Sequence, residues 1–243
     1  TFDPSQTRFS ENRTRAFYRE LLDRSLQFPG ARAAALAQSV PLGFTASQKQ
    51  VKIAAISLND TMAFWMNTVT PGYFELMRIP VVAGRGFLAS DTNRTPPVAV
   101  VNQALAQFWP GQIALGQIME IDGRKMEIVG VVKTVKYQQA GESPKPFFYL
   151  PYSQNFAARM TLHILTQGPP AQAARAVIAV AQVLDPSQPV MEVRPLDQLL
   201  SQGALFGARI GLGVTVAAGS CTGLMALTGL YVCVASAVAR RRR

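Results

Sequence analysis

Apolar residues recur at helical spacing from about Asn12 to Phe28, where Phe17, Leu21, Leu22 and Leu26 share one face. Arg13, Arg19, Glu20 and Asp23 fall mostly elsewhere on the wheel, and Pro29-Gly30 stops the helix so predicted. An alanine-rich run to Val40, then Val51–Ile56 and Met62–Val69, read as strands, the first two separated by a turn region at Pro41–Gly43. Thr70 is placed to cap a short helix with Pro71 in its first turn and Tyr73, Phe74 and Met77 on its buried side. Ile79–Val82 predicts a strand running into a glycine-dependent turn at Gly84-Arg85-Gly86. Val98–Val101 is a short buried strand, followed by a helix capped by Asn102 with a Leu105, Phe108 and Trp109 stripe, ended by Pro110-Gly111.

The plainest local signal is a hairpin. Ile118–Ile121 and Met126–Val129 flank Asp122-Gly123, a pair that accepts positive φ, and Val131–Val135 prolongs the second strand. Phe147–Leu150 is a further strand between prolines, and Met160–Thr166 alternates as a strand should. Pro169-Pro170 opens a helix to Leu184 with Ala174, Val177, Ile178 and Ala181 on one side; Asp185-Pro186 ends it, and Val190–Val193 returns as a strand. That succession predicts a βαβ unit with a right-handed crossover. Pro195 starts a last helix through Leu196, Leu199 and Leu200. The class is α+β, with short mixed strands and helices on one face. The expected domains are a discontinuous first lobe (1–72 and 152–202), an inserted hairpin-rich lobe (73–151), and a stalk with a transmembrane helix (203–243).

The last of these rests on Ile210–Ala239, thirty residues without a charged side chain, closed by Arg240, Arg241, Arg242 and Arg243. A spanning helix needs about 20 apolar residues, and the positive-inside bias puts the four arginines in the cytoplasm. Arg209 then marks the opposite membrane boundary, with residues 1–208 outside. Gly207, Gly211, Gly219 and Gly223 form two G-x-x-x-G spacings, which let a partner helix approach closely.

Composition has to be read on either side of that boundary. Of the +10 net charge, the part before Arg209 holds nineteen basic and all fourteen acidic residues, about +5, with the basic ones scattered. That pattern argues against nucleic acid as a partner despite the basic balance. Both cysteines, Cys221 and Cys233, lie in the apolar run, so the outer region has no disulfide and depends on its core. Thr1 is not preceded by a signal-like segment, which leads us to expect a piece of a longer protein.

The outer region offers little chemistry. His163 is the single histidine, there is no HExxH motif or Cys/His cluster for a metal, and no G-x-S-x-G elbow. Gly84-Arg85-Gly86 is a weak hint of a phosphate loop, and without any Gly-Lys dipeptide there is no Walker A sequence. Glu120, Asp122 and Glu127 on the hairpin are ordinary solvated positions. We therefore expect no catalytic, metal or nucleotide site and no cofactor.

Taken as a spaced series, the chain resembles the periplasmic core domain of MacB/FtsX-type ABC transporter permeases. The residues that carry this are Val69-Thr70-Pro71-Gly72-Tyr73-Phe74, Ile79-Pro80 with Gly84-Arg85-Gly86-Phe87, and Val98–Asn102. Phe108-Trp109-Pro110-Gly111, Ile128–Val132 with Val135-Lys136-Tyr137, and Leu150-Pro151-Tyr152 continue the series. Within that family the chain resembles the duplicated orphan permeases of acidobacteria. The resemblance implies a two-lobed periplasmic domain between the first and second helices of an inner-membrane permease. It also implies pairing as a homodimer or with another permease half, a separate cytoplasmic ATPase, and a periplasmic adaptor, for export or mechanotransmission. The stalk would lie near Leu196–Phe206, and the cytoplasmic coupling segment would begin at Arg240. The first helix, the last two helices and the rest of the coupling segment are missing from the pattern, as expected of a fragment. The alternative is a single-pass, membrane-anchored periplasmic sensor or ligand-binding module.

Overall fold

A computed structural model of the protein describes residues 1–3, 9–41, 47–53, 61–109, 113–137, 143–186, 193–196, 198 and 225. In chain order these hold α1 (Glu11–Leu26), β1 (Ala31–Ala37), β2 (Ser47–Ile53), β3 (Met62–Val69), α2 (Tyr73–Leu76), β4 (Val81–Gly84) and β5 (Val98–Asn102). They continue with α3 (Gln103–Ala106), β6 (Ile118–Ile121), β7 (Arg124–Val132), β8 (Phe147–Pro151), β9 (Thr161–Thr166) and α4 (Pro170–Leu184).

Strand pairing closes on itself. The path β2-β6-β7-β5-β8-β3 returns to its start because β2 also pairs with β3, antiparallel from Ser47↔Met66 to Val51↔Met62. The result is a six-stranded barrel of mixed direction, with β5–β7 and β3–β8 parallel. Side chains alternate across each strand, so one set of each points inward. That set is Val51 and Ile53, Phe64 and Met66, Ala99 and Val101, Met119 and Ile121, Met126 and Ile128, Phe148 and Leu150, all buried in one cluster. Leu105, Trp109 and Ala114 join the same cluster from the segments beside the strands. Burying each large apolar side chain here is worth about 1.5–3 kcal/mol.

The hairpin forms as predicted. Asp122 (φ 48°) and Gly123 (φ 81°) both take positive φ, which matches a tight turn to the strand twist. The second strand leaves the ladder earlier than expected, at Val132, because the following residues turn to other partners: Lys133 N–H donates to Pro80 O, and Thr134 Oγ1 accepts from Ala104 N–H. Gly84-Arg85-Gly86 is a packing feature. An ideal Cβ on Gly84 would lie 2.3 Å from Val129 O and one on Gly130 would lie 2.0 Å from Arg85 O, so both glycines let β4 lie against β7.

Outside the barrel, β1 and β9 add a second layer. β9 pairs antiparallel with β1 over Ala31–Ala37, and β1 meets the end of β3 at Ala37↔Val69. Ala35 and Ala37 belong to a cluster with Val100, Phe147 and Tyr149 on the barrel's outer face, while Leu36 belongs to the cluster made by α1 and α4. Over Ala35–Ala37 the strand is buried on both faces, with small side chains toward the barrel and Leu36 toward the helices. Helix α1 starts at Ser10, whose Oγ accepts from Arg13 N–H, and it buries Phe17, Tyr18 and Leu21 against Val177 and Ala181 of α4.

Two local expectations are corrected. Thr70 does not cap α2; Gly72, at φ 81°, stands at that position, and the Thr70 hydroxyl is used on β1. Helices do not lie on one face of an open sheet, because the sheet rolls up and only α1 and α4 share a layer. Hydrogen bonding also crosses the expected lobe boundary at residue 73, since β2 and β3 pair with β6 and β8. The strand predicted at 190–193, and with it the crossover, falls mostly outside the described residues.

Candidate functional site

Thr70, Tyr73 and Tyr137, three residues of the spaced series, meet at the join between the barrel and the β1–β9 layer. Thr70 Oγ1 accepts from Leu36 N–H (2.8 Å), and Thr70 N–H donates to Leu36 O (2.9 Å), so β1 is held at the end of β3. Asn67, fully buried on β3, accepts from Ser39 N–H (2.9 Å) and donates from Nδ2 to Ser39 O (2.8 Å). Tyr73 of α2 shares a hydrogen bond with Tyr137 (2.9 Å between hydroxyls), and the Tyr137 ring stacks on Phe147 at 4.2 Å. Tyr149 and His163 complete this buried polar centre, with the imidazole edge-on to Tyr73 at 6.0 Å. Burial raises the pKa of all three tyrosines and lowers that of His163 to about 4, so all stay neutral at pH 7. Among the described residues the buried His163 Nε2 has no hydrogen-bond partner. Neutral, interlocked and shielded from water, these groups fix one element against another.

Asn102 repeats this theme at the other end of β5. Its Oδ1 accepts from Leu105 N–H (2.8 Å) and Phe147 N–H (3.0 Å), while Nδ2 donates to Lys145 O (2.7 Å). The predicted cap is real, and the same side chain also ties β8 to β5. Gln154, buried after β8, accepts from Val98 N–H and donates to the carbonyls of Thr92 and Pro96. Arg85 and Asp91 pair through both guanidinium nitrogens at 2.8 and 2.9 Å. Burial pushes the Asp91 carboxyl up, but Arg85 and the Leu88 N–H together outweigh it and hold it below the usual range.

Beside the join, a cleft of ≈ 340 Å³ opens between α1, the residues after β3, and the segment at 92–93. Arg15 and Arg19 line it from α1, Leu22 and Pro71 give it an apolar part, and Thr92 and Asn93 line it from the segment before β5. Arg15 is fixed: Nε pairs with Glu11 (2.8 Å), Nη1 donates to the carbonyls of Tyr152 and Ser153, and the guanidinium lies over the rings of Tyr152 and Phe156.

Gly207, Gly211, Gly219 and Gly223, with Arg209 and Arg240–Arg243, lie outside the described residues, as does nearly all of the predicted membrane helix. Among the described residues no helix is long and apolar enough to cross a membrane. Sequence reading missed the tyrosine centre and the cleft, because their members are far apart in the chain and each looks like an ordinary core or surface residue.

Comparison with known proteins decides the family. The model of the MacB-like periplasmic core domain matches residues 4–188. The chain belongs to the MacB-like periplasmic core domain family. Among solved structures, the periplasmic region of MacB from Actinobacillus actinomycetemcomitans superposes with a TM-score of 0.52 at 13% identity, covering 68% of this chain and 72% of that one. The extracellular domain of YknZ, a noncanonic ABC-type transporter from Gram-positive bacteria, gives 0.50 at 14% identity, over 68% and 81%. At these identities the likeness is one of fold. No individually curated relative matches the sequence. Five of the residues through which this chain resembles MacB/FtsX-type permeases, Thr70, Tyr73, Asn102, Tyr137 and Tyr152, are buried.

Proposed function

We propose that this chain is part of an ABC transporter permease subunit of MacB/FtsX type, whose periplasmic domain couples cytoplasmic ATP hydrolysis to export or to mechanical work in the periplasm. The observation that carries this reading is the family match over residues 4–188. The fold suits the role: a closed barrel, hydrogen-bonded to a second layer through Thr70 and Asn67, can move as a body and pass on a displacement made at its base. In this reading residues 1–208 are periplasmic, Arg209 marks the outer face of the inner membrane, and Arg240–Arg243 lie in the cytoplasm. Gly207, Gly211, Gly219 and Gly223 face a neighbouring helix in a homodimer or a paired permease half. The ATPase is a separate cytoplasmic subunit, and a periplasmic adaptor is the partner of the outer domain.

The test uses the exposed Asn93. With Cys221 and Cys233 replaced by serine, a cysteine at Asn93 should react with a membrane-impermeant thiol reagent in intact spheroplasts. Spin labels at the same position, in the permease assembled with its ATPase in nanodiscs, should change separation between the ATP-bound and nucleotide-free states. Labelling only after lysis would remove the topology, and nucleotide-independent distances would remove the coupling.

A further inference from the structure

The cleft beside α1 has the makings of a ligand site that the permease reading does not use. Its lining contains two guanidinium groups and no carboxylate. Arg15 and Arg19 are four residues apart on α1, which puts them on one face of the helix. Glu11 takes the Nε of Arg15 and two backbone carbonyls take Nη1, so the group is preorganised while Nη2 carries no hydrogen bond among the described residues. Arg19 is exposed and makes no hydrogen bond or ion pair among them. Counting Glu11 against the two arginines leaves one net positive charge at the cleft. Leu22 and Pro71 line it with apolar surface, and Asn93 stands on its wall with an amide that can donate or accept. The cleft is within the size range of small-molecule sites.

We propose that this cleft binds a monocarboxylate with a short apolar body, its carboxylate held by Arg15 Nη2 and Arg19 and its body against Leu22 and Pro71. A planar guanidinium with two directed donors matches a carboxylate better than a spherical or fully hydrated anion. One net charge matches a single carboxylate, and apolar surface within reach of it rewards a side chain that bare acetate lacks.

N-acetyl-leucine and its neutral counterpart N-acetyl-leucinamide differ at the carboxylate alone, which makes them the probes of choice. Titrated calorimetrically into the full chain in nanodiscs, the acid should bind saturably and the amide about tenfold more weakly, as expected when a charge-assisted hydrogen bond is lost. Arg19→Gln, a change at an exposed position that should leave the melting temperature unaltered, should weaken the acid by a similar factor. Sodium sulfate at matched ionic strength should displace the acid poorly. Equal binding of acid and amide would overturn the proposal, as would an Arg19→Gln protein of wild-type affinity. Displacement by sulfate as efficient as by unlabelled acid would show a site that reads charge alone, and would overturn the carboxylate assignment. None of these outcomes bears on coupling to ATP, which the spin-label distances address separately.

Discussion

His163 is the residue whose environment has the sharpest consequence. Its imidazole is buried and its pKa drops from the ordinary 6.5 to about 4 because the charged form would be desolvated. Above pH 6.5 both folded and unfolded chains hold it neutral, and its full contribution is present. Between pH 6.5 and 4 the unfolded chain takes up a proton that the folded one refuses, so stability falls as pH falls, by about 3 kcal/mol in all. Urea midpoints measured from pH 7 to pH 4.5 should therefore decline for the wild type. His163→Leu should be nearly flat over that window; an equally steep decline in the variant would assign the acid sensitivity to other groups. Arg85 and Asp91 act lower, since a depressed carboxyl loses its contribution only as pH falls through its folded pKa. The sequence showed His163 only as the single histidine, on a predicted strand. What it could not express is that Tyr73, ninety residues away, stands edge-on to the ring.

At the scale of elements, β4 and β7 depend on two glycines for different reasons from the hairpin glycine. Gly130→Ala would drive a methyl to within 2.0 Å of Arg85 O, and backbone on both sides must move. We expect a loss of about 3 kcal/mol, at the upper end for overpacking, seen as a lowered thermal midpoint. Gly123→Ala meets nothing within 4 Å and bears only the cost of a positive φ, about 1–2 kcal/mol. If the two substitutions cost the same, the close approach of β4 to β7 is not what Gly130 provides. Element existence was legible because alternation and helical spacing are local: α1, the hairpin, β9 and α4 stand within a few residues of where the pattern puts them. Ends were less so. Helix α2 starts after Gly72 and β7 stops at Val132 because Leu36, Pro80 and Ala104 compete for the backbone and side chains there.

For the whole molecule, the three buried clusters formed by the described residues all lie within residues 1–199. A chain ending at Gln202 should be soluble and unfold in a single cooperative transition. Reductant should not change its midpoint, since Cys221 and Cys233 are the only cysteines. A broad, non-cooperative melt would show that the segment after Gln202 completes the core. By itself the sequence determined the α+β class, most of the elements, the hairpin and its turn, and the family, because each is written in local spacing or in short motifs along the chain. Closure of the barrel was decided only in three dimensions. Pairing β2 with β3 as well as β6 follows from which apolar faces can be buried together, and the pattern within a strand says only that it has such a face. The tyrosine centre and the Arg15–Arg19 cleft belong to that same level: their residues become neighbours only after the barrel has closed and β1, β9 and α1 have packed against it.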